Sequence, residues 1–269
     1  MYEFNRIEDC MGTVFRFHGR SPFDALKTIE LLVKACEILH EADRTFSLYK
    51  EQSPLSKLAR GEAAIRDLPP VVSEIWDACE LWEKQTDGWF SAMSPTNTFD
   101  PSGIVKTWAA KRSAEYLVEN GIVDFTLNAG GDVWIGDKVT VELDWRVGIH
   151  KPVSLADEKA GHLTVIDLRG TPYRGVATSG SAERGLHIWN PKAPGKLAAA
   201  TIAQVTVVGR DLVEADVWAT ACFAEGERAI EHLDAHNKAN PENDFQALII
   251  KLNDELIATE GFVELFAKN

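Results

Sequence analysis

Apolar residues recur along this chain at two periods. Between positions 23 and 44 they fall at Leu26, Ile29, Leu32, Val33, Cys36 and Leu39, the three-and-four spacing that lines one face of a helix. From Val71 to Thr86 the same spacing places Val72, Ile75, Trp76, Cys79 and Trp82 on one face, with Asp87-Gly88 as the stop. A third helix is predicted over 102–119, after a Ser-Gly turn, and a fourth over 212–229, with His232 to His236 continuing it. Ser53-Pro54 opens a short capped turn, because proline suits the first helical position.

Between these stretches the period drops to two, or the apolar residues run together, and strands are predicted. The first covers 11–18 (MGTVFRFH) and is ended by Gly19-Arg20-Ser21-Pro22. Phe46 to Tyr49 reads as a short strand or extended turn, and 88–101 as a loop. Val123 to Leu127 is a strand followed by an Asn128-Ala129-Gly130-Gly131-Asp132 turn, and Val133 to Val147 reads as a hairpin region. Further strands are expected at 163–168, 174–177 and 201–208. A closing hairpin is expected at 245–251 and 255–259 around Asn253-Asp254, then a last strand or tail at 262–266. The pattern is α+β. With no repeat and no linker rich in Pro, Gly or Ser, residues 1–269 read as one domain of two lobes.

Composition changes the picture in three places. A formal net charge of -13 argues against nucleic acid as a partner, though local backbone N–H groups and a metal ion can still hold a small phosphate ester. The four cysteines lie far apart without a CxxC spacing, which argues against a zinc site or a disulfide framework and for reduced, mostly buried thiols. The N-terminal residues lack the basic and apolar regions of a leader, and no stretch of 18 apolar residues occurs. A cytoplasmic protein without membrane insertion is the expectation.

Candidate chemistry clusters between Val176 and Thr220. Asp216 and Thr220 are four residues apart, so on a helix their oxygens share one face. Both are hard donors of the kind Mg²⁺ takes; an Asp near a helix start and a Thr within it equally suit a purely structural helix. Thr178-Ser179-Gly180 reads as a hydroxyl-bearing turn, with Arg184 and His187 following. Such groups suit a phosphate or diphosphate, and equally a solvated loop. Gly130-Gly131 after a strand lets a ligand approach the backbone, or simply makes a turn. Asp100-Pro101-Ser102-Gly103-Ile104-Val105-Lys106 combines a helix start with a lysine, the parts of an anion site, without the spacing of a P-loop. Met11 and Tyr49 can border a flat aromatic ligand or pack in a core.

Read in order, MGTVFRF, FSLYKEQSPLSKL, DPSGIVK, LNAGGDVWIGD, WRVGI with KP, VATSGSAERGLHIWNP and TVVGRDLVEADVWATACFAEG resemble the ApbE family of FAD:protein FMN transferases over roughly residues 10–250. The resemblance implies two lobes of mixed, largely antiparallel sheet with flanking helices and FAD in a cleft between them. It also implies a Mg²⁺-dependent transfer of FMN from FAD to a Thr or Ser hydroxyl of a target flavoprotein, releasing AMP. Carried over by position, Asp216, Thr220 and the Val105 carbonyl are Mg²⁺ ligands. Ser102, Gly103 and Lys106 lie near the phosphates. Asn128, Gly130, Gly131 and Asp132 border the nucleotide, and Thr178, Ser179 and Gly180 line the flavin-diphosphate site. His187 sits near the reacting phosphate, as base or acceptor-orienting group, and Met11 and Tyr49 pack on the ring systems. The chemistry adds that Lys106 or Arg184 can neutralise charge at the diphosphate and that Asp216 or His187 can act as base, with His187 preferred.

Departures from the family pattern are Asn190 where an Asp is usual, Thr107-Trp108 after Lys106 in place of Gly-Tyr, and a short segment between Phe90 and Asp100. Two other readings accompany the transferase: a Mg²⁺-dependent FAD pyrophosphatase giving FMN and AMP, and a non-catalytic FAD-binding protein.

Overall fold

The chain begins with a hairpin. In a computed structural model that describes residues 1–152, 161–180, 188–193 and 201–267, β1 (Tyr2–Cys10) pairs antiparallel with β2 (Thr13–Ser21). Met11 and Gly12, at φ 53° and 68°, form the two-residue loop; two left-handed residues make a type I′ turn, whose twist matches that of the strands. The expected strand at 11–18 therefore starts two residues later and runs through Gly19-Arg20-Ser21 instead of breaking there. β1 escaped the sequence reading because its inward side alternates apolar Phe4 and Cys10, both buried, with charged Arg6 and Glu8, half-buried at the sheet edge.

Two compact units follow from the contacts. The first comprises Met1–Gly130 and Gly136–Val139. Its elements after the hairpin are α1 (Ala25–Phe46), α2 (Pro54–Ala59), α3 (Pro70–Gln85), α4 (Ser102–Glu119) and β3 (Asp124–Ala129). α1 takes in Phe46, so the short strand expected at Phe46–Tyr49 is the helix end followed by a turn. β3 pairs with β2 and includes Asn128, so the expected turn shrinks to Gly130-Gly131. Phe15, Phe17, Phe125 and Leu127 are fully buried. α1 packs on β1 and α4, and α4 on β3; Ser113 donates its hydroxyl to the Ala35 carbonyl where the two helices cross.

The second unit comprises Gly131–Ile135 and Thr140–Asn269. It contains β4 (Asp132–Ile135), β5 (Arg146–His150), β6 (His162–Asp167), β7 (Gly175–Gly180), β8 (Ile202–Gly209), α5 (Leu212–Glu225), α6 (Ala229–Ala239), β9 (Gln246–Lys251), β10 (Leu256–Ala258) and α7 (Glu260–Glu264). β4, β7, β8, β9 and β10 lie side by side in that order, every pairing antiparallel, while β5 and β6 form a separate ribbon. The expected hairpin within 133–147 does not form. β4 pairs with β7 instead, because burial and not closeness in sequence selects a strand's partner.

Thr178-Ser179-Gly180 is the end of β7, paired with Thr206, Val205 and Gln204, and not a turn. The helix expected over 212–229 stops at Glu225, where Gly226 adopts φ 91°, and α6 is a separate helix. Residues 260–264 form a helical turn, although Phe266 does bridge to Ile166 of β6.

α5 is apolar almost all round and lies on β7 and β8. At its centre Trp218 packs at a tilt against His236 of α6, with ring centroids 4.6 Å apart, and both rings also meet Phe245. The Trp218 Nε1 and His236 Nε2 atoms are buried without a hydrogen-bond partner among the described residues. Burial holds the His236 pKa below the ordinary imidazole value of 6.5, so the folded state keeps it neutral to a lower pH than the unfolded chain does. The unfolded chain then binds a proton in a range where the native state does not. Stability is full above pH 6.5 and falls as acid titrates His236 through its lowered pKa. Urea midpoints of wild type and His236→Gln, measured from pH 7.5 to 5, are expected to converge toward acid; parallel curves would refute this assignment.

Candidate functional site

The second unit brings three of the expected residues together on β7 and α5. Asp211 caps α5, its carboxylate accepting from the Val213 and Glu214 amides. Asp216 therefore lies in the second turn, beyond the first turn where a carboxylate gains most from the helix dipole. That removes the helix dipole as the reason for an acidic residue there. Asp216 is only 5% exposed within a helix whose neighbours Ala215, Val217, Trp218 and Ala219 are buried. Thr220, one turn on, stands with its hydroxyl 3.2 Å from that of Ser179 on β7. A carboxylate and two hydroxyls, all hard oxygen donors, fit a Mg²⁺ ion better than a softer metal. Among the described residues no cluster of three or more His, Cys, Asp or Glu side chains suits a metal, so any such site here relies on hydroxyl, carbonyl and water oxygens.

Next to Ser179, the Thr178 amide donates to Asp132 at 2.9 Å, and the Thr178 hydroxyl meets that of Thr206 at 2.9 Å. Asp132 is buried at the first residue of β4, so this carboxylate ties β4 to β7 and fixes the strand that presents Ser179. Thr206 was missed from sequence, where 201–208 reads only as a strand rich in Val, Ile and Thr. The signal was present: Gln204 and Thr206 alternate with Val205 and Val207, placing two polar side chains on one face of β8.

The expected residues of the first unit lie at the β1–β2 turn, the end of β3, the start of α4 and the turn after α1. Met11 sits in the β1–β2 turn; Gly130 lies against the start of β2, its amide donating to the Val14 carbonyl. Gly130 has φ 63°, and a Cβ there would lie 2.2 Å from the Thr13 hydroxyl, so only glycine fits this turn. Gly131 follows with φ 98°. Ser102, Gly103, Val105 and Lys106 form the first turns of α4, where the Ser102 amide donates to Asp100 and a Cβ on Gly103 would lie 3.2 Å from the Phe90 ring. Tyr49 is fully exposed. Gly180 ends β7. Arg184 and His187 lie outside the described residues.

Asn190, which replaces the family's usual Asp, accepts from the Lys192 amide through its side-chain oxygen at 2.9 Å. An Asn side chain makes this turn as well as an Asp does, so the substitution keeps the local backbone. The four cysteines are free and buried. Burial raises the pKa of Cys10 to about 11 and those of Cys36 and Cys79 to about 12, and it pushes the Cys222 thiol up further. All four are neutral thiols, unsuited to nucleophilic or metal-binding roles at ordinary pH. Among the described residues no helix is long and apolar enough to cross a membrane.

Comparison with known proteins places this geometry. A FAD:protein FMN transferase of Klebsiella pneumoniae is 28% identical over 141 residues, 49% of this chain and 40% of that protein; the match thus spans less than half of the relative's length. The flavin transferase ApbE of Vibrio cholerae has a similar fold, with a TM-score of 0.76 at 20% identity over 98% of this chain and 99% of that one. The ApbE protein of Thermotoga maritima gives 0.75 at 19% identity over 99% and 100%. The profile of the ApbE family matches residues 91–242, a span that includes α4, the Gly130-Gly131-Asp132 turn, β7 and α5. The chain belongs to the ApbE family.

Proposed function

We propose that this chain is a Mg²⁺-dependent FAD:protein FMN transferase. The observation that carries the reading is the buried Asp216 one helical turn from Thr220, with the Ser179 hydroxyl beside it. The names of the family's curated relatives support the choice of FAD as substrate and a protein as acceptor. In the reaction, a Thr or Ser hydroxyl of the acceptor flavoprotein attacks the phosphorus on the FMN side of the FAD diphosphate. A new P–O bond forms to the acceptor, the P–O–P bridge breaks, and AMP leaves with the bridging oxygen.

Asp216 and Thr220 hold the metal in this proposal. Bound there, Mg²⁺ supplies charge neutralisation at the diphosphate. Lys106 and Arg184 add positive charge to the phosphates, and the start of α4 at Ser102 and Gly103 offers backbone N–H groups. Asn128, Gly130, Gly131 and Asp132 border the nucleotide. Thr178, Ser179 and Gly180 line the diphosphate, and Met11 and Tyr49 contact the rings. His187 takes the acceptor's proton, because a carboxylate engaged with a metal is the weaker base. Residues 1–269 act as one functional domain, and four free buried thiols support a reducing compartment such as the cytoplasm.

The test is incubation of the purified chain with FAD, Mg²⁺ and a candidate acceptor flavoprotein. Expected are AMP release and in-gel flavin fluorescence on the acceptor, both lost with EDTA. AMP and FMN without a labelled acceptor would replace the transferase with an FAD pyrophosphatase. Bound FAD with no AMP would leave a non-catalytic flavin-binding protein.

A further inference from the structure

The β1 strand is nine residues long, contains no proline or bulge, and ends the strand order of its unit. Such an edge offers a row of backbone donors and acceptors to another strand. The type I′ turn settles which ones. In a two-residue hairpin the residues flanking the loop, Cys10 and Thr13 here, exchange hydrogen bonds. Counting back in twos, Glu8, Arg6, Phe4 and Tyr2 also bond to β2. The amides and carbonyls of Glu3, Asn5, Ile7 and Asp9 therefore face the open edge, and at the middle of that row the Ile7 side chain is 58% exposed.

We propose that two copies of this chain pair antiparallel through β1, with the two-fold axis at Ile7. The register is selected by charge. With Ile7 opposite Ile7 of the second copy, Asn5 and Asp9 exchange backbone bonds. Arg6 then stands opposite Glu8 of the second copy, and Glu8 opposite its Arg6. These last pairs fall at non-hydrogen-bonded positions, where side chains approach most closely. Shifting the register by two residues one way sets Arg6 against Arg6 and Glu3 against Asp9. Shifting it the other way sets Glu8 against Glu8. Both neighbouring registers oppose like charges, so the edge is self-complementary in one register, as an isologous contact requires.

A second feature points the same way. Along α1, Leu26, Ile29 and Val33 are 82%, 50% and 48% exposed, an apolar stripe on a helix otherwise charged on its outer side. Ile29 and Val33 share their side of the helix with Cys36 and His40. His40 reaches β1, bonding Glu8 at 2.8 Å and lying 3.5 Å from the Cys10 sulfur. The apolar stripe is therefore on the β1 side of α1, next to the open edge, where a second copy continuing the sheet brings its own α1 alongside.

Light scattering and sedimentation of the purified full chain test this. Wild type is expected at twice the 29.8 kDa chain mass. Ile7→Lys places two ammonium groups at the axis without touching the core, and it should weaken the dimer at least about tenfold in Kd. The exchange Arg6→Glu with Glu8→Arg keeps opposite charges facing and should still dimerise. Ile7→Cys should cross-link on mild oxidation, because hydrogen-bonded partners in an antiparallel pair lie about 5.5 Å apart at Cα, within disulfide reach; Val14→Cys, exposed on the neighbouring strand, should not. A wild-type monomer at every concentration, or a dimer indifferent to Ile7→Lys, would overturn the proposal. Thermal melting of each variant separates loss of pairing from loss of fold.

Discussion

Replacing Asp216 by Asn is expected to lower Mg²⁺-dependent FMN transfer by about 100-fold or more, with a raised requirement for Mg²⁺. The change keeps the size and shape of the side chain while removing its charge and turning one acceptor oxygen into an NH₂ donor, so the helix should persist. That control matters because Asp216 is 5% exposed in a helix packed on two strands. Asp216→Ala should abolish turnover as well, but it also leaves a void inside the unit. Melting temperature alongside AMP release separates the two effects. An Asn variant that melts like wild type and turns over at full rate would remove the metal assignment. Thr220→Val, which deletes the hydroxyl 3.2 Å from Ser179, should move activity in the same direction by a smaller factor, since a neutral donor holds a cation less strongly than a carboxylate.

Gly175→Ala is expected to destabilise the protein by about 1–3 kcal/mol, the usual range for overpacking, and to depress activity with it. Gly175 opens β7 where the strand meets the start of α5. A Cβ there would lie 2.6 Å from the Leu212 Cα and 2.7 Å from its amide nitrogen. These are backbone atoms of the helix, so no rotamer change relieves the contact and α5 must move off β7. The same two elements carry Ser179 and Thr220, so the displacement reaches the hydroxyl pair directly. For a chain of this size the melting temperature should fall by roughly 2–4 °C for each kcal/mol lost. Gly161→Ala, where a Cβ would meet nothing within 4 Å among the described residues, serves as the control and should stay within about 0.5 kcal/mol of wild type. Equal stability of the two variants would show that β7 and α5 are not held at van der Waals contact through Gly175.

Much of this was legible without coordinates. α1, α3 and α4 could be read from three-and-four spacing because each packs one face on a neighbour and leaves the other to solvent, so the burial pattern is written in the residue types. The Ser53 cap with Pro54 behind it, and the closing β9–β10 hairpin, rest on interactions among residues within a few positions of each other. Family membership was legible for a related reason. Asp216 and Thr220, the glycines at 130 and 131, and the Thr178–Gly180 segment each work through local spacing, which a linear motif preserves.

Other features depended on partners distant in sequence. β1 was hidden because an edge strand has no neighbour on one side and tolerates Arg6 and Glu8 on its inward face. The Thr178-Ser179-Gly180 segment looked like a turn, since glycine and hydroxyl residues favour turns; pairing with β8 made it a strand. β4 found β7 across more than forty residues, and Asp132 took a hydrogen-bonding role at Thr178 that no local pattern specifies. Thr206 joined the hydroxyl cluster only because β8 lies beside β7. The sequence by itself determined the helices α1, α3 and α4, the turns at Gly130-Gly131 and Asn253-Asp254, and the residue types available for chemistry, all of which follow from local sterics and periodic burial. The tertiary structure alone decided strand partners, the contact of Ser179 with Thr220, and the open β1 edge, because these come from packing and hydrogen bonds between segments that the chain keeps far apart.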